Sequence, residues 1–198
     1  MLQARARRLT ATGPRRIAYR LFDQPLIQNQ YRSAFVEAMI EPYIARAGWR
    51  FVGDNWAGWD FQSDLGTRLE LKQSAAWQTW HPARQARSQV PLKASPGVFD
   101  IASRTGWYDS AGAVWTEEIG RPAQVYIFAW NGLIGIAADH RDPEQWEFFI
   151  VPTISLPLQK TLRLSRLRSI VGDAGSFMGP RRCAEGLSAY IRWRQLSI

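Results

Sequence analysis

The stretch WDFQSDLGTRLELKQSA, residues 59–75, decides how this chain folds. In Arg68-Leu69-Glu70-Leu71-Lys72 the two-residue period of a strand puts both leucines on one face and the three charged residues on the other. Upstream stands Asp64-Leu65-Gly66, a three-residue connection with glycine last, where a left-handed backbone closes a hairpin. A strand over about 58–63 and another over Arg68–Ser74 are therefore expected to pair antiparallel. Pairing about that loop sets Asp60 opposite Glu70, with cross-strand Cβ atoms roughly 4.5–5.5 Å apart. A glycine bulge would move this register by one residue.

Working outward, Tyr31, Phe35, Met39, Tyr43 and Ala47 recur every four residues, and Ile40 and Ile44 widen the stripe. That spacing predicts an amphipathic helix over about Gln28–Ala47. Pro42 is expected to kink it, because the ring displaces the carbonyl of Ala38, and Gly48 to close it. Trp49–Val52 reads as the first strand. Further apolar runs follow at Val98–Ala102, Gln124–Trp130, Leu133–Ala138 and Trp146–Val151, with Asn131-Gly132 as a hairpin-turn signal. Asp142-Pro143 reads as an N-cap and the first helical position. Ser165 is expected to cap a short helix ending near Gly172, residues 172–179 (GDAGSFMG) to form a linker, and Arg181–Gln195 to form the last helix. The sum is a single α+β domain over residues 28–198, with a basic C-terminal helical segment, preceded by a basic arm over 1–27.

Composition narrows the function classes. With 198 residues, 46% of them hydrophobic, the chain can bury a sizeable core, which excludes a disordered tail protein. A single thiol, Cys183, excludes a disulfide framework and points to a reducing cytoplasm. No apolar run approaches the roughly 18–20 residues of a membrane span, so no membrane partner is expected. The net charge of +8 gathers at the ends: six arginines and no acid precede Asp23, and eight basic residues against two acids follow Gln159. Ends of this kind hold phosphates by releasing counterions, so the expected partner is a polyanion. Arg84 and Arg87, just after the Trp77/Trp80 pair, and Lys160, Arg163 and Arg166 are the candidate nucleic-acid contacts. His81 and His140 have no metal-ligand spacing with the cysteine, which argues against zinc.

Facing carboxylates repel unless something positive lies between them. A divalent cation held by Asp60 and Glu70 removes that repulsion and leaves positions for water and phosphate. Lys72, one pleat from Glu70 on the same face, can position the water or steady developing charge.

Trp59-Asp60, the Gly66 turn and Glu70-Leu71-Lys72 together resemble the D…(D/E)xK signature of the PD-(D/E)XK, restriction-endonuclease-like nucleases. Glu37, eleven residues before Gly48-Trp49, is similar to the helix glutamate that members carry in a pattern like E-x(10)-G-[WY]. Gln73-Ser74-Ala75-Ala76 resembles the polar continuation after the catalytic lysine. The resemblance covers about Arg32 to Ala76. It implies a mixed central sheet flanked by helices and a DNA endonuclease dependent on Mg²⁺ or Mn²⁺. Asp60, Glu70 and Glu37 would be the metal ligands, Lys72 would serve the water, and Gln73 would help position substrate. DNA is the implied partner, with RNA the other option, in the cytoplasm or on the nucleoid; homodimers are common in the family. The residue before the first acid is Trp59 where the family has proline, and Glu41, one helical turn beyond Glu37, is the alternative glutamate. A non-catalytic nucleic-acid-binding module of the same fold is the competing reading.

Overall fold

The hairpin forms as its turn dictates. Gly66 adopts φ +80°, its N–H donates to the Ser63 carbonyl (2.9 Å), and the Thr67 N–H is held by the Ser63 hydroxyl (3.0 Å). In the computed structural model, which describes residues 12–53, 56–172 and 175–196, this hairpin sits within a six-stranded mixed sheet. Of the terminal charged residues counted above, Arg5, Arg7, Arg8 and Asp173 lie outside the described residues.

In chain order, helices α1 (Thr12–Phe22) and α2 (Asn29–Ile44) lead through a short 3-10 turn to strands β1 (Trp49–Phe51), β2 (Phe61–Ser63) and β3 (Arg68–Ala75). Helix α3 (His81–Gln85), β4 (Val98–Asp100) and the two-residue strands β5 (Trp107–Tyr108) and β6 (Trp115–Thr116) follow. Strands β7 (Val125–Asn131), β8 (Trp146–Pro152) and β9 (Thr161–Arg163), helix α4 (Leu164–Val171), β10 (Ser176–Met178) and helix α5 (Pro180–Leu196) complete it. The main sheet runs β1-β2-β3-β7-β8-β10; only the β3–β7 pair is parallel. A parallel neighbour demands a long crossover, here the segment carrying α3, β4 and the β5–β6 hairpin. Among the described residues no helix is long and apolar enough to cross a membrane.

Strand β7 is buried along its whole length, as its unbroken apolar run requires of a central strand. Its alternate side chains feed two cores. Val125, Ile127 and Ala129 join Leu69 and Leu71 of β3 under Val36, Ile40 and Ile44 of α2 and Leu187 of α5. Tyr126, Phe128 and Trp130 face the other way, onto Phe99, Leu162 and Leu167. Each valine, leucine, isoleucine or phenylalanine among them, taken out of water, contributes about 1.5–3 kcal/mol. The alternation also places Glu70 and Lys72 on the second face, as the two-residue period requires.

Several expectations are corrected. The buried stripe of α2 is Arg32, Val36, Ile40 and Ile44, one position on from the predicted one. Tyr31, Phe35, Met39 and Tyr43 flank it half-buried, because a stripe this wide lets the sheet and α5 choose its centre. Pro42 lies inside α2 on its exposed side, and the helix continues past it to Ile44. The Asn131-Gly132 turn is absent: neither residue is left-handed, Asn131 ends β7 fully buried, and its carbonyl takes the Ala76 N–H (2.8 Å). Residues 133–138 make only a 3-10 turn with Ile134 and Ile136 exposed, and β7 pairs instead with β8. Ser165 is inside α4, which begins at Leu164 without a side-chain cap. The expected linker contains β10, an edge strand on β8. Asp142 does cap, accepting the Glu144 N–H (3.0 Å), and Gly48 closes the 3-10 turn at φ +78°.

Candidate functional site

The site opens where β2 leaves β3. Their ladder runs in the expected register, Gln62 with Arg68 and Phe61 with Leu69, and stops there, while β3 continues along β7 to Ala75. Asp60 comes just before the last pair, outside the ladder. Its N–H donates to the Leu69 carbonyl (3.0 Å), and its carbonyl accepts the Val52 N–H (2.8 Å). Its carboxylate takes the Leu71 N–H (Oδ2, 2.7 Å), a donor that a longer β2 would have claimed. The second strand is thus shorter than the expected 58–63, and its missing rung is filled by an acid.

Glu70, buried and on the rung of Tyr126, is held from two sides. Lys72 donates its Nζ hydrogen to Glu70 Oε1, and Arg104 Nη2 stands 3.8 Å from the same oxygen. Asp60, Glu70, Lys72 and Arg104 all line one open cleft of about 700 Å³. Burial first, then the charge of Glu70 and then that of Glu37 hold the Asp60 carboxyl well above the usual aspartate range, against the Leu71 N–H and Lys72. The Tyr126 hydroxyl is likewise pushed up, by burial and then by Glu70.

Glu37 sits half-buried on α2 and accepts the Ser33 hydroxyl (2.9 Å). It is close enough to act on Asp60, whereas Glu41 is exposed. Gln73 falls on the opposite face from Glu70 and Lys72. Its Oε1 accepts from Arg32 Nε (2.5 Å) and its Nε2 donates to Asn29 Oδ1 (3.2 Å), so it ties α2 to β3 beside a neighbouring cavity that Lys72 also lines. Among the described residues no three His, Cys, Asp or Glu side chains gather closely enough to cage a metal. The donor set of the cleft is therefore the pair Asp60 and Glu70. That pair suits Mg²⁺, which is commonly held by one or two carboxylates and completed by water and substrate phosphate.

The candidate nucleic-acid contacts lie elsewhere. Arg84 and Arg87 are exposed on and just after α3, and Lys160, Arg163 and Arg166 are exposed on and beside β9 and α4. None of the five lines the cleft. Trp49, Trp59 and Trp77 are core residues, and Trp80 stacks on His81. His81 accepts the Gln78 N–H (2.8 Å) and His140 the Ile27 N–H (3.0 Å), so both imidazoles brace the backbone.

Sequence reasoning missed Arg104, Tyr126, Arg32 and the aromatic residues of β5 and β6. One local signal existed for that hairpin: Asp109 caps the turn through Oδ1 to the Ala113 N–H (2.8 Å), and Gly112 takes φ +68°. Arg104 carries no local signal, because its role comes from the crossover bringing it back over β3. Comparison with family models, curated proteins and solved structures finds nothing that matches this chain, so what the site does has to be argued from its own chemistry.

Proposed function

We propose that this protein is a divalent-metal-dependent nuclease of restriction-endonuclease-like fold that hydrolyses phosphodiester bonds in DNA. The observation that carries the reading is the convergence of Asp60, Glu70 and Lys72 on one open cleft at the point where two paired strands part. The mixed sheet, with a helix before its first strand and a parallel pair at its centre, supports the fold assignment. Asp60 and Glu70 are the residues that would hold Mg²⁺ or Mn²⁺, and their mutual repulsion gives them a physical reason to take a cation. When bound, the ion polarises the phosphoryl group and lowers the pKa of a coordinated water. Lys72, paired with Glu70, supplies the ammonium that would orient that water and stabilise charge on the phosphoryl oxygens. Arg104 adds a second cation at the same carboxylate and at the cleft mouth. Glu37 lends negative potential behind Asp60, and Gln73 sets the position of α2 on β3. The exposed basic residues at the chain ends would hold the polyanion outside the cleft.

One observation favours the competing reading, a nucleic-acid-binding module without catalysis: Lys72 is occupied by Glu70. Plasmid, single-stranded and branched DNA incubated with pure protein and Mg²⁺ or Mn²⁺ separate the two. Scission that stops with EDTA, and is lost in Asp60→Ala and Lys72→Ala with circular dichroism unchanged, is the expected result. Binding that survives EDTA, with no scission under either ion, establishes the module instead.

A further inference from the structure

The cleft that holds Asp60, Glu70 and Lys72 has an aromatic wall made of Trp56, Trp107, Tyr108 and Trp115. Trp107 is accounted for by packing: it is buried, and its Cβ presses on Gly58, where an added Cβ would lie 2.5 Å away. The other three are not. Trp56 is 86% exposed, Trp115 50% and Tyr108 38%, so much of their aromatic surface stays in water beside a polar cleft. Trp56 also carries backbone strain. Its φ of +62° is the one left-handed value at a non-glycine position among the described residues, and for a bulky side chain this costs on the order of 1–3 kcal/mol. No burial of the indole offsets that cost.

These residues are held in place together. Ala57 bridges to Tyr108, and the Gly58 N–H donates to the Tyr108 carbonyl (3.1 Å), which fixes Trp56 to the β5–β6 hairpin. Across the hairpin Tyr108 pairs with Trp115, their rings edge to face with centroids 5.1 Å apart. The Trp115 indole lies flush over Gly106, where a Cβ would come within 2.3 Å of it. Arg104, two residues before that glycine, brings positive charge to the same wall.

We propose that Trp56, Tyr108 and Trp115 form a stacking surface for unpaired bases, and that the substrate of this site is a single-stranded nucleic acid. The inference rests on the nuclease reading above and names its substrate class. A duplex presents phosphates and groove edges, and its base faces are already stacked on one another, so open aromatic rings gain nothing from it. A single strand offers a π face at every nucleotide, each worth about 1–3 kcal/mol on an aromatic platform and indifferent to base identity. Lys72 and Arg104 stand where the accompanying phosphates would run.

The test is fluorescence anisotropy of the full chain in EDTA, where nothing is cleaved. The probes are labelled oligo-dT and oligo-U of about 15 nucleotides, near the site size of one small domain, a blunt duplex of equal length, and an abasic strand with the same backbone. Oligo-dT is expected to bind at least about tenfold more tightly than duplex or abasic strand, with Trp115→Ala and Trp56→Gly each removing most of that preference. Trp56→Gly also relieves the strained backbone, so its melting temperature is expected to stay level or rise, which separates lost stacking from lost folding. Oligo-U binding like oligo-dT supports the surface, since stacking ignores the sugar. Abasic strand or duplex bound as tightly as oligo-dT overturns the proposal. If wild-type protein cleaves nothing under Mg²⁺ or Mn²⁺ yet keeps base-dependent binding, the nuclease reading falls and the stacking surface stands; cleavage of duplex with base-independent binding gives the reverse.

Discussion

Asp60 binds its proton more tightly in the folded protein than in the unfolded chain, because burial and two neighbouring carboxylates penalise its charge. A carboxyl whose pKa is raised by folding contributes less stability as pH climbs above the unfolded value near 4. Asp60→Asn keeps an oxygen for the Leu71 N–H and removes the charge. We therefore expect it to raise the melting temperature at pH 8 in EDTA, with the gain disappearing below about pH 4. Millimolar Mg²⁺ should stabilise wild type and leave the variant unmoved; equal response of both would remove Asp60 from the metal site. None of this was readable in the tripeptide Glu70-Leu71-Lys72 itself, since proton affinity depends on what lies within a few ångströms in space.

At the scale of elements, the hairpin was legible and the seating of the helix was not. Gly66, with φ +80° and open space around it, governs a turn whose register follows from local geometry. Gly66→Ala should cost about 1–2 kcal/mol, the strain of a left-handed alanine alone. Gly58→Ala should cost about as much or more by overpacking, because its Cβ would meet the Trp107 Cβ at 2.5 Å and Pro122 at 3.1 Å, and should also displace the aromatic wall. Urea melts of both variants, together with oligo-dT binding, check this: only Gly58→Ala is expected to lose binding. Arg32 sits at 1% exposure on the buried stripe of α2, and burial lowers its pKa to about 10. It donates to Gln73, Gln78 (2.8 Å) and Asn29 (2.7 Å), all neutral acceptors. Arg32→Ala strands those acceptors and unseats α2 from β3, with an expected loss of about 3 kcal/mol in the same urea melts. An arginine reads as solvated in any helical-wheel argument, so the polar partners that admit it to the interior could come only from other segments.

Across the whole molecule, His140 joins distant parts of the chain. Its ring takes the Ile27 N–H on Nδ1 and meets the Trp77 carbonyl at Nε2 (3.1 Å), and its backbone N–H donates to the Pro25 carbonyl (2.7 Å). Burial, and then the charge of Arg32, push its pKa down to about 4. The folded state therefore binds fewer protons than the unfolded one between about pH 6.5 and 4. Stability falls as pH drops through that window, by up to about 3 kcal/mol, and levels off below it. Urea titrations of wild type at pH 7, 5.5 and 4 against His140→Asn test this, with the variant expected to show the shallower pH slope.

The local code determined the turn at Gly66, the antiparallel register that pairs Phe61 with Leu69, the face that Glu70 and Lys72 share, and the strand over Val125–Asn131. Each of these depends on residues a few positions apart, where strand period and turn stereochemistry act directly. The tertiary structure alone decided that Asp60 would cap the Leu71 N–H and that residues 176–178 would be an edge strand. It alone brought Arg104, Tyr108 and Trp115 to the cleft. These outcomes turn on how segments separated by tens of residues meet, and no local period or propensity carries that information.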